Sequence, residues 1–134
     1  DQQLWRPEGG DPLSGVSIFG RVSVAPSDRS EFGFYADGGM VFANLVPNRP
    51  KDRFGFSLIY ARYAAGIRGF DSDLARLTPD APPRRTSETN LELTYLAEIA
   101  PGFDLQPVVT HIWNPSERPG RNALVVGFRT RLLY

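Results

Sequence analysis

Residues 122–134 read Asn-Ala-Leu-Val-Val-Gly-Phe-Arg-Thr-Arg-Leu-Leu-Tyr, and their alternation decides the fold class. Counted back from Tyr134, one face carries Leu132, Thr130, Phe128, Val126 and Leu124. The opposite face carries Leu133, Arg131, Arg129, Gly127 and Val125. A period of two marks an extended strand whose faces meet different surroundings. One face here suits hydrocarbon; the other holds two cations.

The same period recurs upstream in segments of about ten residues, punctuated by Gly, Pro, Asn and Asp. Residues 15–25 set Val16, Ile18, Gly20, Val22 and Val24 against Ser17, Phe19, Arg21 and Ser23. Residues 31–43 oppose Phe32, Phe34, Ala36, Gly38, Met40 and Phe42 to Gly33, Tyr35, Asp37, Gly39 and Val41. Residues 53–63 oppose Phe54, Phe56, Leu58 and Tyr60 to Gly55, Ser57, Ile59 and Ala61. Segments 89–99 and 103–113 continue the pattern, and 3–5 reads as the tail of one more strand. The sum is a meander of roughly six full strands and a partial seventh. Residues 64–87, rich in Pro, Asp and Arg, read as a long loop, with one helical turn at most over 71–77. Compact soluble domains seldom contain such a loop.

Composition narrows the function more than the fold. Lys+Arg and Asp+Glu balance at 15 each, so no overall field points to nucleic acid. Cysteine is absent, which excludes disulfides, thiolate chemistry and Cys-bound metal. No apolar run reaches ~18 residues, so no transmembrane helix is predicted. There is no G-x-S-x-G, P-loop or H-E-x-x-H, and no paired His/Cys spacing. No catalytic residue, metal or cofactor is therefore expected. Asp37, Glu92 and Glu98 are the carboxylates that glycoside hydrolysis could recruit, but nothing marks a cleft or a raised pKa. An apolar content of 41%, with 9 Phe, 5 Tyr and 2 Trp, fits two architectures. A soluble β-barrel or sandwich binding an apolar ligand is one, and composition alone favours it. A transmembrane barrel, apolar on one face only, is the other. The opening Asp1-Gln2-Gln3 has neither initiator Met nor signal peptide, as in a processed protein or a fragment.

Charge placement favours the barrel. Arg21, Asp37, Glu92, Glu98, Arg129 and Arg131 all fall opposite the aromatic-rich face. Facing a wet lumen they are tolerable, whereas Arg at the bilayer midplane costs ~2–4 kcal/mol. Phe54 and Tyr60 at two ends of one strand, Phe103 and Trp113 framing another, and Tyr134 look like two interfacial girdles. His111 fits an interfacial position better than a ligand or a base. With the last strand ending at the periplasm, loops 26–30, 64–87 and 114–121 become external, and 6–14, 46–52 and 101–102 periplasmic. The longest loop is then extracellular, as outer-membrane barrels require.

Several blocks carry a family resemblance. Asp1-Gln2-Gln3-Leu4-Trp5-Arg6-Pro7 with 15–24 is similar to the "DQ-LWR…GL-LFAR" stretch of carbohydrate-selective porins of the OprB family. Residues 34–39 and 45–52 resemble their "FYADAGL…GLIPGRPDD" segment, and Phe54-Gly55-Phe56…Tyr60-Ala61-Arg62 continues it. Residues 88–95 resemble "E-T-x-x-E-x-T-Y", 105–115 "LQPDxQYIxNP" and 123–130 "ALVLGLRT". The aromatic end at Tyr134 resembles the terminal signature by which outer-membrane proteins engage their assembly machinery. The sequence departs at Asn48, where Gly is usual, and at Val108, where an acidic residue is common.

The resemblance implies an all-β, antiparallel transmembrane barrel of the porin type, of about sixteen strands. Residues 1–134 are expected to form the C-terminal portion of that single domain, with the remaining strands upstream or on another chain. It implies the Gram-negative outer membrane, with lipid bilayer and lipopolysaccharide around the barrel and passive uptake of sugars such as glucose. Porins often trimerise, so a homotrimer is an assembly to expect. Arg21, Asp37, Glu92, Glu98, Arg129 and Arg131 are the expected pore-lining residues, where opposed charges order water and favour neutral polyols. The blander alternative is that they balance one another in the wall while an upstream loop sets selectivity.

Overall fold

The computed structural model describes residues 1–115 and 120–133. Strands β1 (Gln2–Trp5), β2 (Gly15–Val24), β3 (Phe32–Ala43), β4 (Arg53–Tyr63), β5 (Ser87–Ala100), β6 (Phe103–Trp113) and β7 (Asn122–Leu132) form one sheet in chain order. Every neighbouring pair is antiparallel. The predicted meander is therefore the observed one, with β5 starting at Ser87 rather than 89. Tyr134, the expected terminal aromatic, lies outside the described residues, as do 116–119 of the last loop.

Register follows from the alternation, because a one-residue slip would exchange the two faces. Between β2 and β3 it runs unbroken from Gly15↔Ala43 to Val24↔Phe34. Turn geometry pins it at one end. Asn44 and Asn48 adopt φ of 59° and 61°, and Val46 pairs with Arg49 inside the turn. Asn tolerates that left-handed backbone better than other side-chain-bearing residues. At Asn48, where the sequence resemblance leads to an expected Gly, the positive φ supplies a conformational reason for that expectation.

The helix is a correction. Residues 64–87 were expected to be loop with one helical turn, yet α1 spans Ala65–Leu77. Its start was hard to read because Ala64 caps it without a side-chain hydrogen bond and its first turn holds no acidic residue. Gly66 and Gly69 also weaken its propensity. Position comes from tertiary bonds instead. The Ala64 amide donates to the Glu31 carbonyl at 2.8 Å. Arg85 grips the buried Asp71 through Nε at 3.0 Å and its terminal nitrogen at 2.7 Å, and its amide adds a 2.9 Å bond. Arg85 also lies over the Tyr63 ring, 5.7 Å from the centroid. That bidentate grip holds the Asp71 carboxyl below the usual carboxylate range despite burial. Asp71→Asn should release α1, seen as new protease cuts within 64–86 while the strands stay intact; an unchanged digestion pattern would mean that other contacts hold the helix.

No soluble core exists among the described residues. The buried apolar residues are Ala43, Ala61, Tyr63, Ala64 and Ala97, four of them small. Large apolar side chains stand open instead: Val22 at 68%, Leu58 at 50%, Val126 at 70% and Phe128 at 78% exposure. A soluble protein rarely leaves so broad an apolar surface uncovered. The soluble barrel or sandwich reading fails on this observation. Both β1 and β7 keep one unpaired edge, which hydrocarbon does not tolerate, so closure needs further strands.

Candidate functional site

Pairing across six strands carries the charged residues to one face. Arg21 stands opposite Asp37, Asp37 opposite Ile59, and Ile59 opposite Asn90. Another row runs Phe19, Gly39, Ser57, Glu92, Thr110 and Val125. At the 44–52 turn end, Glu98 opposes Asp104 and Asp104 opposes Arg131, while Gln106 opposes Arg129. All six predicted residues therefore share this face, but they do not form one cluster.

They fall into three environments. Arg21 Nε donates to Asp37 Oδ1 at 2.8 Å, and its guanidinium lies 5.2 Å from the Tyr35 ring centroid. Glu92 has no cation within reach among the described residues; it accepts a 3.4 Å hydrogen bond from the Thr110 hydroxyl. Nearer the turn end the charges pair again. Lys51 Nζ meets Glu98 Oε1 at 2.6 Å, and Arg131 Nε meets Asp104 Oδ2 at 2.7 Å. Arg129 has no ion-pair partner among the described residues.

Sequence reasoning missed four residues on this face. Lys51 was assigned to a turn and Arg53 only to a strand start, yet both border the depression that Glu98, Asp104 and Arg131 line. Asp104 is half of an ion pair; following Phe103, the first residue of its strand, it had the right parity to be found. Phe19 was the one aromatic among Ser17, Arg21 and Ser23. A methyl added at Gly39 would collide with the Phe56 carbonyl oxygen and stand 2.9 Å from Phe19 Cε1 and Cζ, so the outer part of the ring lies close against that glycine. Beside it, Gly55, Ser57, Glu92 and Thr94 line a shallow hollow.

Outside this face, Asp52 locks the turn end. It is 2% exposed and accepts from Arg49, from the Tyr95 hydroxyl and from the Glu98 amide. Burial opposes its ionisation, but those donors outweigh burial and hold the carboxyl below its ordinary value.

The opposite face carries the aromatics at its two ends. Phe54 stacks with Phe42 at 6.0 Å near the 44–52 turn, and Phe103 lies towards the same end. Tyr60 pairs with Phe34 at 6.1 Å towards the long loop. There Trp113 meets His111 edge-on at 4.3 Å. His111 thus has an aromatic neighbour and no metal-ligand cluster among the described residues.

The family model for carbohydrate-selective porins, OprB family, matches residues 1–133. The chain belongs to that family. A solved structure of Pseudomonas putida OprB, described as its high-pH form, superposes with a TM-score of 0.86 at 24% identity. That match covers 97% of this chain and 33% of the P. putida chain, so this sequence spans about a third of that protein's length. No curated protein matches the sequence. Family and fold are those of an outer-membrane channel rather than an enzyme, and the seven strands are a partial barrel wall.

Proposed function

We propose that this chain forms part of the wall of an outer-membrane channel through which neutral sugars such as glucose pass passively. The charged face lines its water-filled lumen. One observation carries the reading: strand register puts Arg21, Asp37, Glu92, Glu98, Asp104, Arg129 and Arg131 on one face, with only Arg62 at the loop end of β4 among the described strand charges on the other, where exposed apolar side chains stand. Lipid accepts the second face and water the first. Phe54, Phe103, Tyr60 and Trp113 then lie at the two membrane interfaces. The loop bearing α1 is extracellular and the 44–52 turn periplasmic.

Passage needs binding weak enough to reverse. Arg21–Asp37 and Asp104–Arg131 present paired donors and acceptors to hydroxyl groups, with each charge largely neutralised by its partner. The Phe19 ring, close against Gly39 and beside Ser57, Glu92 and Thr94, offers an apolar surface for the C–H side of a pyranose and polar groups for its rim.

In liposome swelling, the full-length protein should admit glucose faster than a sulfonated disaccharide. Equal entry of all solutes under the size limit would make it a general porin, and no entry a structural barrel. Phe19→Ala should weaken the block of single-channel current by glucose about threefold to tenfold, the loss of roughly 1 kcal/mol of ring contact. Undiminished block would place the sugar elsewhere.

A further inference from the structure

The turn end of the charged face contains two adjacent rows that differ in how their charges are matched. Lys51, Glu98, Asp104 and Arg131 make up the first, and it neutralises itself in two ion pairs. The second runs Arg53, Leu96, Gln106 and Arg129. Arg53 opposes Leu96, Gln106 opposes Arg129, and the flanking pairs Thr94↔Val108 and Ala97↔Leu105 set Leu96 beside Gln106. No carboxylate lies within ion-pair distance of Arg53 or Arg129 among the described residues.

Each nearby acid is already engaged. Asp52, next to Arg53 in sequence, is bound by Arg49, Tyr95 and the Glu98 amide. Asp11, on the rim of the same depression, accepts the Leu13 amide at 2.7 Å. Four cations (Lys51, Arg53, Arg129, Arg131) therefore face three carboxylates (Asp11, Glu98, Asp104). Between the two free arginines, Gln106 donates its amide to Thr94 Oγ1 at 2.8 Å, which leaves its carbonyl oxygen available to a hydroxyl donor.

We propose that Arg53 and Arg129 form a carboxylate-reading subsite, so that the channel takes up monoanionic sugars, uronates and aldonates, alongside neutral ones. The proposal rests on the reading that the charged face lines the channel. A guanidinium offers a planar fork that matches a carboxylate with two parallel hydrogen bonds. Three inter-strand steps separate the two backbones, about 14 Å, within which two arginine stems can approach a single sugar from either side. Leu96 between them gives the ring an apolar floor, and the Gln106 carbonyl accepts from a ring hydroxyl. The self-neutralised row alongside keeps the excess to the two arginines, which suits transient binding over capture.

The test compares sodium glucuronate with glucose in proteoliposomes of the full-length porin, with chloride conductance read in planar bilayers. Wild type should pass glucuronate at least as fast as glucose. Arg53→Gln with Arg129→Gln should lower glucuronate entry about tenfold, the loss of one charge-assisted contact, and leave glucose within about twofold. Arg53→Lys with Arg129→Lys should fall between, since charge is kept and the fork lost. An unchanged glucuronate-to-glucose ratio in the Gln variant overturns the subsite and leaves the channel reading standing. A matching drop in chloride conductance overturns it too, as that makes the pair a general anion selector. Failure of wild type to pass either sugar, with a Ser57→Cys thiol labelled only by a lipid-soluble reagent, overturns the channel reading and the subsite with it.

Discussion

Asp52→Ala is expected to weaken the barrel by about 2–4 kcal/mol, because it leaves an arginine, a tyrosine hydroxyl and a backbone amide facing a space from which water is largely excluded. Asp52 is 2% exposed and ties the 44–52 turn to β5 through the Glu98 amide and Tyr95. Arg49 is 42% exposed and recovers part of its loss by hydration, which keeps the figure below that of a fully buried pair. Asp52→Asn should fall between, as it accepts the amide bond but holds no charge against Arg49. Heat-dependent gel mobility and urea unfolding measure the effect. The pH dependence has a definite sign. The folded carboxyl is depressed, so its contribution is complete above the unfolded value of about 3.9 and is lost as pH falls through the lower folded value. Acid should therefore weaken wild type below about pH 4 more steeply than Asp52→Asn. Parallel acid limbs would show that Asp52 is not the group responsible.

The second large effect separates the two faces by a single step along β4. Leu58, 50% exposed between Gly38 and Leu91, stands on the aromatic-rich face that we propose meets lipid; Ser57, between Gly39 and Glu92, stands on the charged face that we propose lines the lumen. Leu58→Arg should cost ~2–4 kcal/mol and depress the yield of folded barrel, the known penalty for a cation near the midplane. Ser57→Arg should assemble normally, with a new cation beside Glu92 and a changed conductance. Equal yields from both substitutions would contradict the assignment of faces.

How far the sequence spoke for itself depended on period. Strand order, register and the sorting of charges were legible, because alternation is a local property and every strand pairs with its sequence neighbour. Arg21, Asp37, Glu92, Glu98, Arg129 and Arg131 reached the predicted face for that reason. Helix α1 was not legible, since its anchors are Arg85 and the Glu31 carbonyl, both outside it, and its own capping signals are missing. Partnership was illegible too. Nothing in the alternation says that Arg131 has an acidic partner and Arg129 has none, because pairing depends on Asp104 across β6 and on rotamers. The Phe19 platform depended on which residue lay opposite it, and only register revealed Gly39 there.

The chain-order sheet has a consequence for assembly and for change over time. Among the described residues, ladder hydrogen bonds in this wall join each strand only to its neighbours in sequence, so cohesion runs mainly along one dimension, like a zip fastener. In the closed barrel a lesion in β5 would open the ring at that step, while damage at β2 would leave the pairing of β4 to β7 undisturbed. For the same reason whole hairpins can be gained or lost without repacking the rest, because each strand needs only a compatible partner on either side. Barrel circumference is thus open to change in units of two strands, while the chemistry of each stave stays its own.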